Sequence, residues 1–259
     1  MTDPSRIGSN RADSSDLPPQ ARDVAPAGEG FAVVEMFTSQ GCSSCPPAEE
    51  VLSEIERDAR ERRQRVFALG FHVDYWDDLG WPDRFADEAY TARQQAYARA
   101  FGSGHLYTPQ MVVNGTVEFV GSDRRRATSA IASALMAAAT TPLALSVEDA
   151  AGGMGGGRRV VVGYQTERPL ERAVLNVAIV ERGLVSEVAR GENAGRTLRQ
   201  DNVVRAFTSV GLDAEHGRVE MEVPSDLDPA QASVVGYVQN DGDKAIVGAV
   251  AIDVPTALG

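Results

Sequence analysis

Residues 31–52 read FAVVEMFTSQGCSSCPPAEEVL, and this pattern predicts a strand, a short loop and a helix in that order. The run from Phe31 to Phe37 is apolar with a single acid, as expected of a buried strand. Pro46 and Pro47 then open the helix, where missing backbone N–H groups cost little. Apolar residues follow at helical spacing from residue 48 onward.

Cys42 and Cys45 are the only cysteines of the 259-residue sequence, and two serines separate them. A Cys-x-x-Cys pair can close a disulfide ring and open it again, so the spacing indicates redox chemistry, metal binding or chance. Its place before a helix favours redox chemistry, because free N–H groups and the helix dipole stabilise the thiolate of Cys42. The thiolate is the nucleophile of thiol–disulfide exchange.

A second motif follows at Thr108-Pro109-Gln110. It precedes a predicted strand at 111–113, the hairpin signal Asn114-Gly115 and a partner strand at 116–120. Ser122 is the predicted N-cap of a helix that comes next. This motif therefore predicts a hairpin followed by a helix.

The sequence between the two motifs predicts a strand at 65–73 and a helix at 82–101. This helix makes the stretch between the two motifs longer than a minimal connection. It either shapes a substrate groove or simply covers the sheet.

The residues that leave this strand contain candidate site residues. They lie at the carboxyl edge, where open α/β sheets place their ligands. His72 or Asp74 is therefore a candidate for moving protons or binding a partner near Cys42, and Trp76 for contacting a substrate. The alternative is a hydrogen-bonded turn in which the tryptophans are packing anchors.

The order of strand, Cys-x-x-Cys, helix, strand, Thr-Pro, hairpin and helix resembles the thioredoxin fold, and the second motif is similar to the matching stretch of glutaredoxins. The sequence also resembles an uncharacterised bacterial family of thioredoxin-like proteins, with many members that look secreted. The segments that carry this resemblance are 39–48, 71–77, 79–81 and 107–115. The resemblance implies that Pro109 is cis and faces the cysteines, and that Thr108 offers backbone hydrogen bonds to an extended substrate.

Glu35 is a candidate general base, because the resemblance implies a buried acid on the first strand beneath the cysteines. A carboxylate among the apolar residues of that strand is desolvated, which raises its pKa. A raised pKa suits a general base near neutral pH. The alternative is that Glu35 faces solvent or pairs with an arginine.

From residue 143 the sequence changes to short strand-like runs separated by turns, which is typical of a β-sandwich or related sheet packing. A glycine-rich segment, 152–157, is the predicted first hairpin turn and lacks the ending of a phosphate-binding loop. We predict an α/β fold, a thioredoxin-like domain with a helical insertion followed by a β-rich, sandwich-like C-terminal domain. The predicted units are a disordered polar leader at 1–29, the thioredoxin-like domain at 30–141 and the β-rich domain at 142–259.

Residues 191–202 form a long polar segment inside this β-rich region. One hypothesis is that the segment folds over the redox site and contributes Asn193, Arg196 or Arg199 to partner recognition. The alternative is a solvated loop that joins two strands.

The net charge is −12 and the isoelectric point is about 4.8, which argues against nucleic acid and anionic membranes as main partners. Residues 1–29 are polar and contain no apolar run. As it stands, the sequence therefore predicts a cytoplasmic protein. A true start upstream, with a signal peptide, predicts a periplasmic or secreted one.

These features predict a thiol–disulfide oxidoreductase that acts on a disulfide-containing protein or a thiol substrate, with no cofactor and no resident metal. Cys42 attacks the substrate disulfide and Cys45 resolves the mixed disulfide. The electron-donor protein cannot be read from the sequence. Two alternatives are a copper or zinc carrier that uses the same thiolates, and a non-catalytic binding module.

Overall fold

The computed structural model describes residues 22–24, 28–150 and 158–254. Within these ranges the strands are β1 (Arg22–Val24), β2 (Ala32–Thr38), β3 (Val66–His72), β4 (Gln110–Val113), β5 (Val117–Val120), β6 (Leu143–Ala150), β7 (Arg158–Thr166), β8 (Ala173–Glu181), β9 (Leu184–Glu187), β10 (Thr197–Gln200), β11 (Val203–Gly211), β12 (His216–Val223), β13 (Ala232–Asn240) and β14 (Ile246–Asp253). The helices are α1 (Pro46–Arg62), α2 (Glu88–Ala100) and α3 (Arg124–Met136), with 3₁₀ helices at Asp74–Leu79 and Pro229–Gln231. The described helices are too short or too polar to span a bilayer.

Eight strands form one mixed sheet in the order β14-β13-β8-β11-β3-β2-β4-β5. β3 lies parallel to both β2 and β11, and the other neighbours are antiparallel. The structure is mostly β, with 41% of it in strands and 24% in helices. The predicted α/β class, a thioredoxin-like domain followed by a separate β-rich domain, is wrong, because β11 of the second half pairs directly with β3 of the first.

A second, antiparallel sheet has the order β1-β6-β7-β12. Its inner face packs against β8, β13 and β14 of the large sheet through a core that includes Leu145, Val162, Val177 and Val234. Sandwich packing is thus present in the second half of the chain, but one of its two sheets continues through the first half.

The two faces of the large sheet are covered by different helices around β2. Met36 packs in a core with α1 and α3, and Phe37 packs in a core with α2. Because successive side chains of a strand point to opposite faces, Thr38 faces α1 and Glu35 faces α2. This alternation decides which polar residues can reach the cysteines.

The local elements predicted around the two motifs are confirmed. They are the strands at β2, β3 and β4, the helix α1 and the hairpin of β4 and β5 around Asn114-Gly115. Each of these elements follows from short-range patterns of apolar, proline and glycine residues.

Two boundaries in the first half differ from the prediction. The helix predicted over 82–101 begins only at Glu88, where the Asp87 side chain caps it by accepting a backbone hydrogen bond at 2.8 Å. Asp123, rather than Ser122, is the N-cap of α3 and accepts a backbone hydrogen bond at 3.0 Å. In both cases a carboxylate satisfies a free N–H group of the first turn.

Some predicted segments lie partly or wholly outside the described residues. In the predicted leader 1–29, residues 22–24 form β1, which pairs with β6. Residues 1–21 and 25–27 of this leader lie outside the described residues. The glycine-rich segment 152–157 is outside them too, although the flanking strands β6 and β7 form the antiparallel pair. The domain boundary after residue 141 stays a prediction.

Candidate functional site

The cysteine pair lies where β2 leads into α1. Cys45 is the N-cap residue of α1, and its carbonyl oxygen accepts two N–H groups of the first turn at 2.8 and 3.1 Å. The N–H of Cys45 donates to the carbonyl of Cys42 at 3.2 Å, so one tight turn holds both residues. Both are thiols with 0% exposure, whereas Ser43 and Ser44 between them are exposed.

The two thiols have opposite acidities. Hydrogen bonding with the Cys45 thiol is the largest influence on the pKa of Cys42. Together with a second hydrogen bond, to the Ser44 hydroxyl at 3.2 Å, it outweighs the effect of burial and lowers the pKa of Cys42 to about 6. Burial, reinforced by the Cys42 sulfur, raises the pKa of Cys45 far above its usual range. At neutral pH Cys42 is therefore the thiolate and Cys45 the thiol, as a nucleophile and a resolving cysteine require.

The second motif meets the first at this point. The Thr108–Pro109 peptide bond is cis, which confirms what the resemblance implied. The carbonyl oxygen of Thr108 is 3.9 Å from the Cys42 sulfur and accepts a hydrogen bond from Ser44 at 3.4 Å. The indole N–H of Trp76 donates to the Thr108 hydroxyl at 2.9 Å. The structure thus brings Thr108, Pro109 and Trp76 to the cysteine pair.

Asp74 serves the local turn instead. Its carboxylate accepts a hydrogen bond from the Thr91 hydroxyl at 2.5 Å, and its N–H donates to the same hydroxyl at 3.3 Å. These bonds tie the first 3₁₀ helix to α2. The structure does not bring Asp74 into contact with the cysteines, which supports the turn interpretation for this residue.

Glu35 lies on the α2 side of the sheet. Its carboxylate accepts hydrogen bonds from Arg93 at 2.8 Å, from the Tyr237 hydroxyl at 2.7 Å and from the Tyr97 hydroxyl. The alternative in which Glu35 pairs with an arginine therefore describes the structure. A role as general base for the cysteines does not fit, because α1, which begins directly after Cys45, covers the opposite face of the sheet.

A buried acid does lie beneath the cysteines, and it is Glu49. It follows Cys45 by one helical turn, so both residues share one face of α1. Its carboxylate, 5% exposed, accepts hydrogen bonds from the Thr38 hydroxyl at 2.9 Å and the Gln200 amide at 3.1 Å. An interaction with the Thr38 side chain lowers the pKa of the Cys45 thiol, against the larger effect of burial. Burial raises the pKa of Glu49, against the opposing charge of His72 and these hydrogen bonds.

His72 is buried on the same side of the sheet. Its Nδ1 is 2.6 Å from the Asp83 carboxylate, and its Nε2 is 3.5 Å from the Gln200 amide. Burial opposes a charge on His72, but Asp83 and Glu49 outweigh it and raise its pKa. Burial likewise acts to raise the pKa of Asp83, and the charge and hydrogen bond of His72 reverse this and lower it. The contact between the two residues therefore favours the charged form of each, an imidazolium and a carboxylate.

The polar segment of the second half does fold over the site, as one hypothesis proposed. The side-chain amide of Asn193 donates to the carbonyls of Gln40 and Cys42, each at 2.9 Å. Glu192 accepts the backbone N–H of Ser43 at 3.0 Å. We call residues 184–200, which contain β9 and β10, the covering hairpin.

The two arginines of the covering hairpin have different positions. Arg196 donates to the side-chain oxygen of Asn193 at 3.2 Å and so orients the amide that binds the cysteine loop. Arg199 lies on β10 and is exposed. A role for either in partner recognition stays a prediction.

Sequence reasoning missed Glu49, Asp83, Gln40 and Gln200. Glu49 carries a local signal, because its spacing of four residues from Cys45 places both on one face of the helix. The other three carry no local signal, because they meet only in the assembled fold. Gln200, for example, is 151 positions from the glutamate that it binds.

The fold and the site together define a class of protein: one with a Cys-x-x-Cys pair between a strand and a helix, beside a cis-proline, on a large mixed sheet. Within this class, the chain belongs to the family described as protein of unknown function (DUF1223), whose model matches residues 33–239. No curated protein matches the sequence.

Solved structures with a similar fold include the crystal structure of AGR_C_4864 from Agrobacterium tumefaciens. It is 28% identical, with a TM-score of 0.58, and the match covers 90% of this chain and 99% of that chain. HBP35 of Porphyromonas gingivalis is 14% identical, with a TM-score of 0.61 over 91% of this chain and 80% of that chain. At that identity the second likeness concerns the fold alone.

Proposed function

We propose that the protein is a thiol–disulfide oxidoreductase that acts on disulfide-containing proteins or small thiols through Cys42 and Cys45. The observation that carries the proposal is the opposite acidity of the two thiols, a pKa of about 6 for Cys42 and a strongly raised pKa for Cys45. A metal carrier needs both sulfurs as thiolates, and the environment of Cys45 opposes this. The described residues also contain no group of three or more His, Cys, Asp or Glu arranged to hold a metal ion.

In the reductive direction, the Cys42 thiolate attacks one sulfur of the substrate disulfide, and the other sulfur leaves as a thiolate. The Cys45 thiol then passes its proton through the Thr38 hydroxyl to Glu49, and the new thiolate attacks the sulfur of Cys42. The second substrate sulfur leaves as a thiolate. Two electrons have then passed to the substrate, and the protein holds a Cys42–Cys45 disulfide. A dithiol or an electron-donor protein restores the thiols, and substrate oxidation runs the same steps backward.

His72 and Asp83 support the proton acceptor. The imidazolium of His72 favours the ionised form of Glu49, because an opposite charge nearby stabilises a carboxylate. Asp83 in turn holds the imidazolium through the 2.6 Å contact. His72 is therefore a positioning residue that acts through Glu49, and it replaces the direct proton shuttle proposed from the sequence.

An extended substrate fits beside Thr108 and Pro109, with Trp76 behind them. The 0% exposure of Cys42 means that a substrate sulfur must first displace part of the cover. The tip of the covering hairpin is the element to move. Side-chain bonds from Glu192 and Asn193 tie this tip to the cysteine loop, while Ser186 and Gln200 at the base of the hairpin accept hydrogen bonds from the Gln40 side chain.

The reduction potential of the pair tests the proposal. The protein is equilibrated in dithiothreitol or glutathione buffers and its free thiols are counted by alkylation, with Cys42→Ser and Cys45→Ser as controls. We expect a reversible two-electron transition, lost in both variants, and reduction of insulin disulfides when a reductant is present. No transition together with stoichiometric copper or zinc indicates a metal carrier. No transition and no metal indicates a non-catalytic binding module.

A further inference from the structure

A notch opens in the large sheet because β11 begins late beside β3. The register pairs Val203, the first residue of β11, with Gly70, so the first half of β3 lies beyond the end of β11. Val203 also pairs with Glu181, the last residue of β8. Asn202 directly precedes Val203, and Arg182 directly follows Glu181. These two residues therefore lie opposite each other at the mouth of the notch.

The notch forms a cavity of about 610 Å3. This volume is in the size range of small-molecule binding sites. Its lining carries charges of both signs. The cations are Arg60, Arg63, Arg65 and Arg182, and the acids are Glu29, Glu56 and Asp253. A cavity with both signs suits a ligand that also carries both, and the excess of arginines favours a carboxylate as its anionic group.

Asn202 lines the cavity and has an unpaired side-chain acceptor. The residue is 7% exposed, and its side-chain NH2 donates to the carbonyl of Ala68 at 2.9 Å. Since only the NH2 end of an amide can donate to a carbonyl, this bond fixes which atom is the oxygen. That oxygen is buried and has no hydrogen-bond partner among the described residues. A buried acceptor left unpaired costs free energy, so it calls for a donor from a ligand.

Arg182 lines the same cavity and has an unpaired donor. One terminal nitrogen of its guanidinium donates to the Ser233 hydroxyl at 2.9 Å, which holds the side chain in place. Its Nε is buried without a partner in the described part of the chain. The Nε edge of a guanidinium can bind a carboxylate with two parallel hydrogen bonds.

We propose that the notch is a binding site for a free α-amino acid, with its carboxylate on Arg182 and its ammonium group on the side-chain oxygen of Asn202. The acids Glu56 and Asp253 add attraction for the ammonium group. The site is separate from the cysteine pair, which lies at the other end of β2 and β3, and it does not depend on the proposed redox function.

Thermal unfolding of the whole protein with each of the twenty amino acids at millimolar concentration tests this site, followed by calorimetric titration of any that stabilise it. At ten times its Kd, an amino acid should raise Tm by about 3 °C or more. Acetate and methylamine, which carry one charge each, should do so far less. Cys42→Ser should bind as well as the wild type.

Arg182→Gln and Arg182→Lys should each weaken binding about tenfold or more, because both lose the two-bond fork. Arg218→Gln is the matched control, since Arg218 is an exposed arginine on the outer sheet, paired with Glu148. Unchanged Tm values without ligand would show that these variants fold. Binding of no amino acid, equal binding of acetate or sulfate, or full affinity in a folded Arg182→Gln variant would each overturn the proposal.

Discussion

Replacing Glu49 by glutamine removes the proposed acceptor of the Cys45 proton but keeps the size of the side chain and an acceptor for Thr38. General base catalysis contributes roughly 10²–10⁴-fold to a proton-transfer step. Because the proton reaches Glu49 through the Thr38 hydroxyl, at 2.9 Å, and not directly, we expect the lower end of that range. Glu49→Gln should therefore slow resolution about 10²-fold.

A symmetrical aromatic disulfide that releases two coloured thiols separates the two steps. The first thiol appears when Cys42 attacks, and the second appears when Cys45 resolves the mixed disulfide. In rapid mixing, Glu49→Gln should leave the first release unchanged and slow the second. Cys45→Ser should give the first release and no second.

The pH dependence gives an independent check. In the wild type, resolution should slow as the pH falls through the raised pKa of Glu49, because the protonated acid accepts no proton. Glu49→Gln should lack this dependence. The stability of the protein depends on pH in the opposite sense. Because the pKa of Glu49 is higher in the folded than in the unfolded protein, this residue stabilises the fold at pH values below its unfolded-state pKa. That stabilisation is lost as the pH rises through the folded-state pKa. The variant should therefore be relatively more stable at high pH, so a slower second step would not reflect unfolding.

Glu50→Gln is the matched control, because Glu50 is the next residue of the same helical turn and is exposed. It should not change either release. A second release as fast in Glu49→Gln as in the wild type would refute the proton path, and equal slowing by Glu50→Gln would show a general effect of charge near the helix.

Three further substitutions test residues on the two faces of the large sheet and in the covering hairpin. His72→Gln should shift the pH at which resolution is half-maximal upward, because the pKa of Glu49 rises without the imidazolium; an unchanged profile of the second release would contradict this role. Glu35→Gln should leave both releases unchanged but lower the free energy of unfolding in urea by about 3 kcal/mol, because it leaves Arg93 buried without its partner; a slower second release would return Glu35 to the redox site. Glu192→Ala should free the tip of the covering hairpin and speed alkylation of the nucleophilic thiol by iodoacetamide, and an equal or slower rate would show that the hairpin does not limit access.

The parts of the fold that were predicted correctly are those that short-range patterns determine. The strand and helix around Cys42, the hairpin at Asn114-Gly115 and the short strands of the second half all follow from apolar spacing and turn residues. The union of both halves in one sheet was missed because it rests on a single pairing, Val203 with Gly70, between distant parts of the chain. Strand β10 was missed because three of its four residues are polar and only alternate ones are buried.

The candidate site, too, was predicted only in part. The cysteine pair could be predicted from a local motif, and the cis-proline from the resemblance that the Thr-Pro motif carries. The buried acid was assigned to Glu35 by its position on the strand, but the side-chain alternation of β2 turns that residue away from α1. The acid that does reach the pair, Glu49, comes from the helix itself, where the spacing to Cys45 is as local a signal as the motif.

The shared sheet is what brings the second half of the chain to the cysteines. Because β11 pairs with β3, the end of β10 reaches the carboxyl edge of the sheet, where Gln200 hydrogen-bonds Glu49 and lies beside His72. The same pairing holds the covering hairpin against the loop that contains Cys42. The lowered pKa of Cys42 comes mainly from its neighbours Cys45 and Ser44, with a smaller effect of Thr108. The second half of the chain contributes the bonds of Asn193 to the cysteine loop and of Gln200 to Glu49, the proposed proton acceptor. The proposed reactivity of the pair therefore also involves residues more than 100 positions away, which the motif does not contain.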